Sequence, residues 1–244
     1  MGVGLSIITV CLNSEKTIRK AIESVLVQSY KDYEFIIVDG GSSDDTLNII
    51  KEYEPAFEGR LRWISEKDDG IYFAMNKGIE LAKGEMVAFL NSDDWYEDNT
   101  FNIMMSEYKG EKYKIQYGMS RMWDENLVEL EISMIHHNVL MEKMINHQAC
   151  FFTKGIFELV GNFDTSYRIV ADHDLMIRAR AKKEVIFEPV YEIVVNFRRG
   201  GLSSSYKLAF EYSDLRVKYG TLSRFHAFGI KGAEIIRHWL RWDR

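Results

Sequence analysis

Asp93 and Asp94 stand side by side just after an apolar run, Met86-Val87-Ala88-Phe89-Leu90, separated from it by Asn91 and Ser92. Five apolar residues in a row read as a buried strand. Two carboxylates at the C-terminal end of such a strand offer the hard oxygens that Mg²⁺ or Mn²⁺ prefers and, through the metal, a seat for a diphosphate. Alone, the pair would serve equally well as a polar turn before the next helix. Two more strands end in the same way. Tyr33-Glu34-Phe35-Ile36-Ile37-Val38 runs into Asp39-Gly40-Gly41, where a carboxylate beside two glycines can accept from a base or sugar that approaches the backbone closely. Leu61-Arg62-Trp63-Ile64-Ser65 runs into Glu66-Lys67-Asp68-Asp69-Gly70. One acid-tipped loop is an ordinary surface turn; three on one edge of a sheet point to a site.

The elements that must position these loops alternate. Leu5 to Val10 is a short strand rich in β-branched residues. Asn13 or Ser14 is placed to cap a helix carrying Ile18, Ala21, Ile22, Val25 and Leu26 at helical spacing. Ser42 to Thr46 forms a loop and cap, followed by Leu47, Ile50 and Tyr53 on one helix face, and Ile71 to Ala82 reads as a helix ending near Gly84. Strands alternating with helices predict an α/β fold: a mostly parallel, Rossmann-like sheet with helices on both faces and right-handed crossovers. After about residue 110 the alternation breaks. Strands are expected at 114–122 and 127–132, then a stretch whose Met134, Met141 and Met144 suit a core or an adaptable acceptor groove. A helix around 155–160, another starting near Asp172, a strand from Glu192 to Phe197 and the loop Arg198-Arg199-Gly200-Gly201-Leu202-Ser203-Ser204-Ser205 follow. The expected division is a first lobe over 1–110, a second over 111–205 and a helical, basic tail over 206–244, all in one continuous domain.

A net charge of −6 argues against nucleic acid as a partner. The two cysteines, Cys11 and Cys150, lie in apolar stretches without metal-binding spacing, so buried thiols in a reducing compartment are expected. No secretory signal or apolar run of about 20 residues is found, which predicts a cytoplasmic location. From about residue 215 the charge reverses: Arg216, Lys218, Arg224, Lys231, Arg237, Arg241 and Arg244 face only Glu234 and Asp243, with Trp239 and Trp242 among them. Interfacial membrane helices combine residues in this way, and so does a packed helix with a solvated basic face. Peripheral contact with a membrane through 215–244 and simple packing both stand on the sequence.

Leu5-Ser6-Ile7-Ile8-Thr9-Val10 through Asn13, the run from Tyr33 to Thr46, Gly70-Ile71-Tyr72 with Ala74-Met75-Asn76-Lys77-Gly78, and Leu90-Asn91-Ser92-Asp93-Asp94 together closely resemble the inverting family 2 glycosyltransferases of the GT-A fold. The resemblance is dense over residues 5–98, thinner to about 205, and ends in the tail. It implies a nucleotide-sugar donor, a UDP-sugar being favoured, in the first lobe. Thr9, Asn13, Asp39 and Asp68 would line the nucleoside pocket, with Asp39 accepting from the base. Asn91 and Asp93 would be donor-binding, with Asp93 at the last acid of the family's DXD motif as metal ligand and Asp94 as its neighbour. Two residues depart from the pattern. Asn91 stands where the motif has its first acid, and Phe73 where an acid follows the Ile-Tyr pair.

Val170-Ala171-Asp172-His173-Asp174-Leu175 matches the family's second acidic motif, which implies Asp172 as catalytic base, with Asp174 and then His173 as alternatives. Asp174 could equally cap the helix. His147 and Gln148 fall near the acceptor site, and Arg198 and Arg199 in a loop able to close over a diphosphate. The activity implied is metal-dependent, inverting transfer to a hydroxyl of a glycan or polyprenyl-diphosphate-linked acceptor, as in bacterial surface polysaccharide biosynthesis, at the inner membrane face. The alternative is a non-catalytic binding or partner subunit that keeps the fold. A sugar-1-phosphate nucleotidyltransferase would need a glycine- and arginine-rich loop where Cys11-Leu12-Asn13-Ser14 stands, and a Rossmann dehydrogenase a GxGxxG that is absent.

Overall fold

The computed structural model describes residues 3–200 and 207–242, with side chains of the last helix as far as residue 235. β1 (Leu5–Cys11), β2 (Tyr33–Asp39), β3 (Leu61–Ser65) and β4 (Met86–Phe89) are parallel neighbours in the order β3-β2-β1-β4. β1, β2 and β4 are buried along their whole length, as strands covered on both faces must be. Alternation sorts their side chains into two cores. Leu5, Ile7, Phe35 and Ile37 pack with α1 (Ile18–Leu26) and α2 (Thr46–Tyr53). Ile8, Val10, Ile36 and Val38 pack on the other face with α3 (Ile71–Leu81). α3 approaches β1 closely through Gly78, where an added Cβ would collide with Ile8 Cγ2.

The second half extends the same sheet. β8 (Cys150–Thr153) pairs antiparallel with β4, and β6 (Lys114–Trp123) antiparallel with β8. β9 (Ile186–Arg198) runs parallel to β6, β5 (Trp95–Tyr96) caps β9 antiparallel, and β7 (Glu129–Ser133) forms a hairpin with β6. The sheet is therefore mixed, parallel through β4 and largely antiparallel beyond it. α4 (Thr100–Ser106), α5 (Lys154–Val160) and α6 (Ala171–Arg180) complete the layers.

β5, α4 and β8 have no counterpart among the expected elements, and two of the expected ones differ clearly in extent. α1 starts at Ile18 rather than just after Asn13 or Ser14, because Asn13 adopts φ 50° and its side-chain oxygen accepts from Ser43 N. β9 is thirteen residues long, not six; Pro189 and the exposed Tyr191 and Glu192 interrupt the apolar pattern of its first half. The tail is helical, as α7 (Lys207–Lys218) and α8 (Arg224–Trp242). Leu215 of α7 packs with Val170 and Ile177 beside and on α6. No helix among the described residues is long and apolar enough to cross a membrane. Gly201 to Ser205 of the expected loop, the side chains of Arg237, Trp239, Arg241 and Trp242, and Asp243 and Arg244 lie outside the described residues.

Candidate active site

Parallel register brings the strand ends level. Cys11 is paired with Asp39 and Asp39 with Ser65, and Leu90 N donates to Ile8 O, so the loop after β4 emerges beside them. A cleft of about 1200 Å³ opens at this edge, where open α/β sheets bind ligands. Asn13, Asp68, Asn91, Asp93, Asp94, His147, Asp172, Arg198 and Arg199 all line it. Thr9, Asp39 and Gln148 do not; they are buried behind its wall. Met134 and Met144 line the cleft, whereas Met141 packs against the core under α7.

Asp39 organises the loop behind the wall. Its Oδ2 accepts from Gly41 N at 3.0 Å, Ser42 N at 2.9 Å and Ser65 Oγ at 2.6 Å. Its Oδ1 accepts from the Ser42 hydroxyl and from Cys11 Sγ at 3.6 Å. Burial pushes the carboxyl up, but the Ser42 and Ser65 hydroxyls and the two backbone N–H groups outweigh it and hold it below the usual range. Gly41 makes the turn possible at φ 86°. Asp68 closes against the same loop, since a Cβ on Gly40 would lie 3.0 Å from its Oδ2. Thr9 Oγ1 is buried with no hydrogen-bond partner.

At the β4 end, Asp94 is buried and its Oδ1 accepts from Arg198 N at 2.7 Å, tying this loop to the end of β9. Burial, then the neighbouring charge of Asp93, pushes Asp94 well above the usual carboxylate range; Arg198 and the Gln148 amide offset this only in part. Burial also raises Asp93, against its own backbone N–H and Arg198. Carboxylates held together at this cost bind a proton, or a cation, more readily. Asn91 Oδ1 is buried without a partner, while Asn91 N donates to Gln148 Oε1 at 2.9 Å. These are hard oxygen donors. Among the described residues no group of three or more His, Cys, Asp or Glu could hold a metal. Asp93 and Asp94 could supply two such donors to Mg²⁺ or Mn²⁺, with ligand oxygens and water as the rest of the shell.

Asp172, in the first turn of α6, is equally buried but well partnered. Its Oδ2 lies 2.7 Å from His147 Nδ1, and its Oδ1 accepts from His173 N at 2.8 Å and from the Tyr72 hydroxyl at 3.1 Å. Burial pushes the carboxyl up, yet the charge and hydrogen bond of His147 and the His173 N–H win, leaving it below the usual range. The two alternatives face elsewhere. His173 contacts Leu140 O through Nε2 and stacks on Tyr212 with 5.5 Å between ring centroids. Asp174 joins α6 to the end of α7 through Lys218 and the Tyr219 hydroxyl, and pairs with Arg178 one turn along α6. Neither lines the cleft.

Arg198 and Arg199 sit on the rim. The Arg198 guanidinium donates to Glu125 O at 2.6 Å, and Arg199 pairs with Glu131 of β7 at 2.6 Å. Three further participants had no mark in the sequence as site residues. Tyr72 lines the cleft and shares its hydroxyl proton between Ile169 O and Asp172. Arg168 lines the cleft as well. Glu211 of α7 accepts from the backbone N–H groups of Arg168, Ile169 and Val170, bracing the segment that delivers Asp172. Tyr72 fell within a quoted motif; Glu211 sits in a tail with no motif at all.

Comparison with known proteins adds the family. The profile of Glycosyl transferase family 2 matches residues 6–160. A PGL/p-HBAD biosynthesis glycosyltransferase of Mycobacterium bovis is 32% identical over 209 residues, covering 82% of this chain and 79% of its own length. Chondroitin synthase of Escherichia coli is 31% identical over 179 residues, which are 71% of this chain but 26% of the synthase. Among solved structures, S. aureus TarS 1–349 in complex with UDP-GlcNAc is similar with a TM-score of 0.66 at 18% identity, over 97% of this chain and 72% of that one. The mannosyltransferase PcManGT from Pyrobaculum calidifontis, in complex with GDP-Man and Mn²⁺, gives 0.64 at 16% identity, over 87% and 61%. At these identities the structural likeness speaks for the fold.

Proposed function

The chain belongs to glycosyl transferase family 2, and from that premise we propose that it moves a sugar from a nucleotide-diphosphate donor, a UDP-sugar first among them, to a hydroxyl of a glycan or lipid-linked acceptor with inversion at the anomeric carbon. One observation carries this reading: Asp93 and Asp94, short of positive charge, share a cleft with Asp172, a carboxylate paired to an imidazole. The first is suited to a departing diphosphate and the second to the proton of an attacking hydroxyl. Mg²⁺ or Mn²⁺ at Asp93 and Asp94 would supply positive charge to the leaving diphosphate. The rim arginines, Arg198 and Arg199, would add to it.

Asn13 and Asp68 line the proposed nucleoside end. Asp39 reads a base there only if the Ser42 or Ser65 hydroxyl gives way, since its oxygens already accept from both. Asp172, with His147, forms the basic end, and the methionine-lined wall beside it is the proposed acceptor groove. Single displacement needs no covalent intermediate, and neither cysteine suits that work: both thiols are buried, and burial raises their pKa.

A release assay tests the reading. The purified chain is incubated with UDP-, GDP- and dTDP-sugars and Mn²⁺ or Mg²⁺, and free nucleotide diphosphate is measured. Metal-dependent release from one donor, lost on Asp93→Ala, supports it. Sugar-nucleotide binding without release, in the presence of lipid-linked acceptors too, would instead mark a binding subunit that keeps the fold.

A peripheral position at the inner face of the membrane belongs to the same proposal. Phe225 and Phe228 are 84% and 78% exposed on α8, in the basic part of the chain. Co-sedimentation with anionic vesicles should fall when residues 224–244 are removed; equal partitioning would sink the idea.

A further inference from the structure

We infer that Arg168 selects the acceptor by gripping an anionic group on it, while the methionine-lined wall takes an apolar chain attached to that anion. The acceptor is then an amphiphile, a sugar joined through a phosphate ester to an apolar carrier, with its hydroxyl at Asp172. The inference rests on the sugar-transfer reading above and names the acceptor within it.

Among the described residues three arginines line the cleft. Arg198 and Arg199, at the diphosphate end, are held by Glu125 O and Glu131. Arg168 is exposed, and its guanidinium has neither an ion pair nor a hydrogen bond among the described residues. Its backbone is nevertheless fixed. Glu211 Oε1 accepts from Arg168 N at 3.0 Å and Glu211 Oε2 from Ile169 N at 2.7 Å, which clamps the segment to α7. The Glu211 oxygens are committed to these N–H groups and leave the guanidinium unpaired. A free guanidinium on an anchored segment offers the planar fork that phosphate oxygens fit.

Arg168 adjoins the base rather than the diphosphate loop. The carbonyl of the next residue, Ile169, accepts from the Tyr72 hydroxyl at 2.7 Å, and the same hydroxyl reaches Asp172 Oδ1 at 3.1 Å. The wall at this end is apolar: Met134, Ile135, Met144 and Ile169 line it half-buried, and Ile145 is buried there. Thioether side chains adapt to chains of varied shape, whereas sugar hydroxyls pressed against such a wall would lose water without compensation. An acidic glycan would use Arg168 and leave the methionines. A neutral lipid would use the methionines and leave Arg168. A phosphate ester on a hydrocarbon chain uses both. The fold also ties this segment to the part of the chain proposed to meet a membrane. α7, which holds Arg168, is joined to α8 by Asp214 and Lys231 at 2.6 Å, and α8 carries the exposed Phe225 and Phe228.

The test titrates decyl phosphate, decanol, inorganic phosphate and glucuronate into the full chain, with Mg²⁺ and the nucleoside diphosphate that the release assay identifies filling the donor end. Binding is read by calorimetry. Decyl phosphate should bind tightest of the four. Arg168→Ala should weaken it roughly 10–100-fold and leave decanol unchanged. Arg168→Lys keeps the charge but loses the fork, and should fall between. Met144→Ser should weaken decyl phosphate and decanol alike. An unchanged melting temperature shows that each variant is folded. Equal affinity of wild type and Arg168→Ala for decyl phosphate overturns the inference and leaves the sugar-transfer reading standing. So does glucuronate that binds through Arg168 as tightly as decyl phosphate, which marks an acidic glycan, or decanol that matches decyl phosphate, which marks a neutral lipid. Wild-type silence on every donor in the release assay overturns the sugar-transfer reading, and the inference with it.

Discussion

The two acidic ends of the cleft use the same residue type in opposite ways. Asp93 and Asp94 at the β4 end, and Asp172 at the α6 end, are all pushed upward by burial. What differs is the company. Asp94 has Asp93 beside it, and the backbone N–H of Arg198 offsets burial only in part, so both carboxyls stay raised. Asp172 has His147, the His173 N–H and the Tyr72 hydroxyl, so its charge is favoured despite burial. Carboxyls whose environments drive them apart take different chemical roles. The β4 end keeps its carboxyls raised; the α6 end keeps its carboxylate ionised beside an imidazole.

The hardest blow to this contrast is Asp93→Asn. Nucleotide release should drop by about 10³-fold, while the melting temperature at pH 7 should rise by roughly 2–4 °C. The sign follows from linkage: a raised carboxyl stabilises the folded state below its unfolded pKa, and that contribution is lost as pH rises through the folded value. The gain in the variant should therefore shrink as the buffer is acidified. A melting temperature that falls instead would mean the pair is not electrostatically strained.

Asp172→Asn should do the reverse to stability, costing about 2 kcal/mol in urea unfolding at pH 7, because it weakens a buried, hydrogen-bonded pair. Its folded pKa is lowered, so the stability it contributes is present above the unfolded value and lost as pH falls through the folded one. Wild type and variant should converge in acid. Equal stability at pH 7 would remove the distinction between the two ends.

A smaller effect sharpens the α6 side. Glu211→Gln weakens the acceptor of the Arg168, Ile169 and Val170 N–H groups. It should lower kcat by about tenfold through slight misplacement of Asp172, with the donor KM unchanged. An unchanged kcat would show that α7 plays no part in presenting Asp172.

Much of the β4 side was legible in the sequence because its signals are local. The continuous apolar runs of β1, β2 and β4 belong to strands buried on both faces, and each is followed at once by the loop that carries its acid. Asp68, Asp93 and Asp94 stand out as acids at strand ends, the family resemblance adds Asn13 and Asn91, and all five line the cleft. The same local logic put Asp39 on a pocket wall, whereas in the structure its oxygens are taken up by Ser42, Ser65 and Gly41 behind that wall. Strand-end position says where a side chain begins; it does not say how many donors will find it. His147 and Asp172 were each visible, but not as a pair.

The chain by itself determined the alternation of strand and helix, the parallel half of the sheet and the edge on which the acids gather, since hydrophobic period and turn residues act over a few positions. Only the tertiary structure decided which acids would be strained and which satisfied. Asp172 meets His147 across 25 residues, Tyr72 across 100, and Asp94 meets Arg198 across 104. Those partners come together only when β8, β6 and β9 extend the sheet past β4 and α7 packs beside α6. The charge state of a buried carboxyl is set by such neighbours and by exclusion of water, and neither is encoded in local spacing.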